Sequence, residues 1–142
     1  QAADVIGYDI YPIYGWNKPE WLYLGHEATE LLVNMAGDRP VYAWIETSKG
    51  GQWTGPLEQQ KDVTPAHIRA EVWMSICRGA TAIGYFTDIW KPSYKQFGVP
   101  EENRRALREI NEQITRLTVQ FSADGLQRGK ADCTSLVGFQ DR

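Results

Sequence analysis

Three short apolar blocks, each followed by a polar stretch rich in glycine and proline and then by residues in helical register, lay out the chain. The first, Asp4 to Tyr11 (DVIGYDIY), is β-branched and aromatic and is stopped by Pro12, which predicts a buried strand running out into a loop. That loop lasts to about Gly25, with a turn of helix after Pro19. Ala28, Leu31, Leu32 and Met35 then recur at i, i+3, i+4 and i+7, predicting an amphipathic helix from His26 that stops at Gly37. Val41 to Glu46 (VYAWIE) is the second predicted strand, and Thr47 to Val63 the polar stretch after it.

Thr64-Pro65 supplies an N-cap with proline at the first helical position, and Ala66, Ile68, Val72, Trp73, Ile76 and Cys77 carry that helix to about Arg78. Ala80 to Phe86 (ATAIGYF) is small and apolar at every position, as in a strand covered on both faces of a parallel sheet. After a loop from Thr87 to Val99, Pro100 opens a helix with Ala106, Leu107, Ile110, Ile114, Leu117 and Phe121 on one face. The charged residues Glu101, Glu102, Arg104, Arg105, Arg108 and Glu109 are expected on its solvated side, with i, i+4 pairing. Residues 122–142 form a tail with one further strand expected at Ser135 to Phe139, the start of a following β segment.

Strand starts near residues 5, 41 and 80 are about 36 to 39 residues apart, in the order β-α-β-α-β-α with the long loops after strands. This is the pattern of a doubly wound sheet or of a (β/α)8 barrel. A complete barrel needs roughly 250 residues, so the expected fold is α/β, a partial (β/α)8 TIM barrel of about three βα units over residues 1–121.

Composition narrows the partners. The chain is 42% hydrophobic, ordinary for a folded domain, which sets aside disorder and collagen. Fifteen Lys+Arg and 18 Asp+Glu leave a net charge of -3 without a basic block, so no nucleic-acid partner is expected. No apolar run nears the roughly 18 residues of a membrane span, and the N-terminal QAADVIGYDI lacks the pattern of a signal peptide, which leaves the compartment open. Cys77 and Cys133 have no second Cys or His at metal-ligand spacing, so neither a metal site nor a disulfide framework is expected, and no cofactor is implied.

In parallel α/β folds chemistry gathers at the carboxyl ends of the strands. Asp9 and Tyr11 stand there after the first strand, Glu46 after the second, Thr87 and Asp88 after the third, and each following loop carries a tryptophan: Trp16, Trp53 and Trp90. Flat aromatic rings beside carboxylates suit a sugar, whose C–H faces stack while its hydroxyls hydrogen-bond. Glu46 is the sharpest feature, an ionisable group closing an apolar strand. His26 and His67 lie near helix starts and are expected as caps or exposed side chains, Trp73 as core, and Glu71 as solvated. Lys49-Gly50-Gly51 could bind phosphate, as loops of barrels do, but a flexible loop covering a sugar fits its sequence better.

The runs VIGYDIYP, RPVYAWIET and GATAIGYFTDIW resemble the last three βα units of the clan of retaining glycoside hydrolases on the (β/α)8 barrel, which includes cellulase-like and β-galactosidase-like enzymes. The resemblance implies hydrolysis of an oligo- or polysaccharide, with Glu46 as catalytic nucleophile and Tyr11 as its hydrogen-bond partner. It also implies an aromatic in the sugar subsite, Trp90 or Tyr85, while their own positions make Trp16, Trp53 and Trp90 a stacking platform and Asp9 and Asp88 hydrogen-bonding partners for a sugar. The clan's general acid/base is a Glu after Asn at the end of strand four, and no strand here ends in that pair: Asn111-Glu112 falls within the helix that Pro100 opens. A retaining mechanism needs two carboxyl groups about 5 to 5.5 Å apart, so the chain alone is expected to show little or no turnover, and Asp9 and Asp88 are poorer second carboxyls. A non-catalytic sugar-binding or scaffold fragment is the alternative, a phosphate-binding barrel enzyme the third. An open three-stranded sheet also predicts self-association or association with the rest of a barrel.

Overall fold

The computed structural model of the chain describes residues 3–123, with side chains described to residue 118. It is mixed α/β, with β1 (Ile6–Asp9), α1 (Tyr23–Ala36), β2 (Val41–Glu46), α2 (Pro65–Cys77), β3 (Ala82–Phe86) and α3 (Glu101–Ala123). Short 3-10 turns at Pro19–Trp21 and Leu57–Gln59 interrupt the first two long loops. The strands form one parallel sheet in the order β1-β2-β3, with Ile6 opposite Val41 and Ala43 opposite Ile83. The strand expected at Ser135 to Phe139 lies outside the described residues.

Alternation along the strands divides the sheet into two unlike faces. Tyr8, Val41, Ala43, Ile45, Ile83 and Tyr85 turn toward the helices, where Ile68 and Val72 of α2 and Ile110 of α3 complete the core with Ile13. The opposite face carries Gly7, Asp9, Tyr42, Trp44 and Gly84, and both Tyr42 and Trp44 are exposed. The Trp44 indole lies across Gly84, where a Cβ would come within 2.7 Å of the ring. Burial on both faces of β3, expected from its composition, is therefore not found: each of its residues is only half-buried.

Helix α1 has the expected period but a different phase. Thr29 and Ala36 are its buried residues, whereas Leu31 and Met35 are 62% and 68% exposed. Thr29 can go inside because its hydroxyl donates to the Gly25 carbonyl at 2.7 Å and meets the Tyr8 hydroxyl from β1, so no polar group is left unpaired. Half of the stripe chosen by apolarity alone, Leu31 and Met35, faces outward, while Ala28 and Leu32 are half-buried.

Helix α2 begins as its sequence predicts. Thr64 accepts from the His67 N–H at 3.3 Å and His67 Nδ1 accepts from the Thr64 N–H at 3.2 Å, a reciprocal capping box in which histidine takes the usual place of Glu or Gln. Thr64→Ala should therefore cost about 1 kcal/mol in urea unfolding, with the slope unchanged. A loss below a few tenths would mean that the cap is not formed. Cys77, the last residue of α2, is disulfide-bonded, which the spacing of the cysteines did not predict; Cys133 lies outside the described residues. No described helix is long and apolar enough to cross a membrane.

Candidate functional site

The three loops that leave the carboxyl ends of the strands are tied into one another. Thr54 donates to the Tyr14 carbonyl at 2.5 Å, Asn17 Nδ2 donates to the Gln59 carbonyl at 3.0 Å, and the Trp90 N–H reaches the Gly50 carbonyl at 2.9 Å. Lys91 Nζ adds a bond to the Gly55 carbonyl at 2.6 Å. Lower down, Thr47 donates to the Phe86 carbonyl at 2.6 Å and Asn103 of α3 donates to the Thr47 and Val63 carbonyls at 2.9 and 2.7 Å.

Within this frame sits Glu46, the end of the middle strand and 0% exposed. Alternation aims it toward the same side as its partner Phe86, but the segment after β1 folds across it. The Ile13 N–H lies 3.0 and 3.1 Å from its two carboxylate oxygens, and the Tyr14 N–H donates to Oε2 at 2.5 Å. The carboxylate thus accepts two successive backbone amides, as an anion does in a backbone nest. Burial raises its pKa and these amides oppose the rise.

A second carboxyl completes the arrangement. Glu71 of α2 is 6% exposed, not solvated as its charge suggested, and lies against Glu46. Desolvation and the adjacent Glu46 charge hold its pKa well above the ordinary range. The hydrogen bond between the two side chains lowers the pKa of Glu46 and raises that of Glu71, while the Glu46 backbone N–H works the other way on Glu71. Its place was legible in one respect: Ile68, Glu71, Val72 and Ser75 follow i, i+3, i+4, i+7, so Glu71 falls within the buried stripe of α2.

Tyr11 stands beside this pair. Burial, then the charges of Asp9 and Glu46, raise its pKa far above that of a free phenol. Its ring packs on Phe86 at 4.9 Å and edge-on against Tyr14 at 6.1 Å, and Tyr14 meets Phe86 at 5.1 Å. The expected hydrogen bond from Tyr11 to Glu46 is replaced by the amides of residues 13 and 14, which reach the carboxylate first. Tyr14 has a buried hydroxyl without a partner and a pKa raised to about 12 by burial and by Asp88.

The remaining expected residues divide. Trp16, Trp53 and Trp90 are all exposed in the three loops, Trp53 at 87%. Trp16 pairs edge-on with Trp21 at 6.1 Å, and Trp90 with Tyr94 at 4.9 Å, so the rings form separate platforms on interlocked loops. Asp88 receives a 3.4 Å bond from the Tyr94 hydroxyl beside Trp90, and Asp9 is exposed on the open sheet face, paired in register with Trp44. Tyr85 departs from its expected place: strand alternation turns it to the helices, where its hydroxyl donates to Asn111 of α3 at 2.7 Å.

No family model matches the chain, and neither does any curated protein or solved structure. Function has to be read from the geometry.

The Lys49-Gly50-Gly51 loop is braced, not flexible. Gln60, buried, accepts from the Gly50 and Gly51 N–H groups at 2.9 and 3.1 Å and donates to the Gly51 and Gly55 carbonyls at 3.1 and 2.8 Å. The amides that a phosphate would use are already taken, and Lys49 pairs with Asp62 at 2.8 Å. Among the described residues, no group of three or more His, Cys, Asp or Glu could hold a metal ion.

Proposed function

We propose that this chain is the nucleophile-bearing, sugar-binding part of a retaining glycoside hydrolase built on a (β/α)8 barrel. One observation carries the reading: Glu46 closes the middle strand of a parallel sheet at its carboxyl end, with Tyr11 against it and exposed tryptophans in all three loops around it. A carboxylate that accepts two amides at right distances is held in one orientation, which an attacking oxygen needs. The acid/base belongs to other strands of the barrel, for Glu71 is buried and bonded to Glu46, not open to a glycosidic oxygen.

A fluorosugar inactivator added to a protein that supplies the other strands should label Glu46, read as a mass shift on its peptide. Turnover that survives Glu46→Gln, or a label on another carboxylate, removes Glu46 from the role.

The second reading is a sugar-binding fragment without turnover, favoured by the complete burial of Glu46 beneath residues 13 and 14. Both readings place the sugar on the exposed rings. Soluble oligosaccharides should change the tryptophan fluorescence of the chain, and Trp53→Ala or Trp90→Ala should weaken binding roughly 2- to 10-fold each, the worth of one aromatic contact. Binding with no label on Glu46 in the complete protein selects the second reading.

A further inference from the structure

Glu71 has no part in the sugar chemistry expected of the strand ends, yet it is a buried ionisable group whose Oε2 has no hydrogen-bond partner, set against a second buried carboxyl. Two negative charges side by side and away from water repel strongly. One proton between them removes the repulsion and makes a short charge-assisted bond. The amides decide where it resides. The N–H groups of Ile13 and Tyr14 both donate to Glu46, whereas the Glu46 backbone N–H is the amide that reaches Glu71 and the Glu71 Oε2 has no partner, so the charge is better held on Glu46 and the proton on Glu71.

We infer that Glu71 is a positioning residue that stays protonated at neutral pH, holding Glu46 ionised and aimed by donating a hydrogen bond to it from α2. The groups that bear on the pair are Glu46 from β2 and Tyr11 from the segment after β1, with Asp9 next to Tyr11. Neither a phenol nor a carboxyl can supply the cation that would let both glutamates ionise, and among the described residues no Lys, Arg or His bears on the pair. The proton held by Glu71 is independent of the enzymatic reading; only its bearing on catalysis rests on Glu46 being the nucleophile.

The test is Glu71→Gln in the full chain, because the amide keeps a donor toward Glu46 and removes the titration. A carboxyl whose pKa is raised on folding stabilises the protein fully below its unfolded pKa and loses that stability as pH rises toward the raised value. Wild type and Glu71→Gln should therefore have similar Tm values near about pH 4, and the variant should melt progressively higher as pH rises to neutral and beyond. A variant less stable than wild type by the same amount at every pH overturns the inference.

A second measurement covers a variant that fails to fold. In the wild-type chain labelled with 13C at glutamate carboxyls, one resonance should keep its protonated shift at neutral pH; if every glutamate titrates in the ordinary acid range, the inference is wrong. Where a complete site turns over, Glu71→Gln should move the alkaline limb of the kcat/KM profile. Absence of any glycosidase activity would end the enzymatic reading and leave the melting and NMR results to stand or fall separately.

Discussion

Glu46→Ala should unfold the chain at a distinctly lower urea concentration, at a cost of roughly 3–5 kcal/mol, the range for removing one member of a buried charged group. The cost comes from what the carboxylate leaves behind. The N–H groups of Ile13 and Tyr14 lose their acceptor in a place water does not reach, at roughly 1–3 kcal/mol for each unsatisfied group. Glu71 loses its side-chain partner, and Ile13, a core residue, loses the anchor of the segment that carries it. Against a total stability of about 5–15 kcal/mol for a domain, this is a large share. Glu46→Gln keeps the volume and one carbonyl oxygen, and should cost only about 1–2 kcal/mol. A loss under 1 kcal/mol in the alanine variant would show that residues 13 and 14 do not rest on the carboxylate.

Gln60→Ala is the second large effect expected, at roughly 3–5 kcal/mol. The side chain makes four bonds, to Gly50 and Gly51 N–H and to the Gly51 and Gly55 carbonyls. Its loss orphans two buried donors at about 1–3 kcal/mol each. The consequence should reach across the site, because the Gly50 carbonyl accepts from the Trp90 and Lys91 N–H groups and so fixes the root of the Trp90 loop. Tryptic cleavage after Lys49 or Lys61 should accelerate together with the loss of stability. Unchanged proteolysis alongside a lowered urea midpoint would mean that Gln60 supports the core without bracing the loop. On the proposed reading, a loop held this firmly presents Trp53 to a sugar with little entropy left to lose on binding.

Most of the fold could be read from local pattern. VYAWIE is a strand at the residues expected, α2 starts at the Thr64-Pro65 signal, and α3 buries Ala106 and Ile110 on the face that its period marks. These features depend on side-chain period and capping, which neighbours along the chain specify. The phase of α1 did not follow, because apolarity ranked Leu31 and Met35 above Thr29, and only the Tyr8 hydroxyl and Gly25 carbonyl make Thr29 acceptable inside. Tyr85 was misplaced for a simpler reason: the side to which a strand residue points depends on register, and Ile45 opposite Tyr85 fixes it toward the helices.

The candidate site shows the same division. A carboxylate at the end of an apolar strand, and tryptophans in the loops beyond, are facts of sequence order that a parallel sheet converts into neighbours. Charge alone suggested that Glu71 would be in water, since an isolated buried carboxylate is costly. What overrides that expectation is a partner 25 positions away in the chain, visible only once α2 packs on β2.

The sequence by itself determined the strands, the helices and their order, because period, proline, glycine and capping act over a few residues. Tertiary structure alone decided that Glu46 is closed over by the amides of residues 13 and 14, that it shares its burial with Glu71, and that Gln60 ties the glycine loop. Those are contacts between groups far apart along the chain. Their energies come from desolvation and hydrogen-bond geometry, which do not exist until the elements have packed.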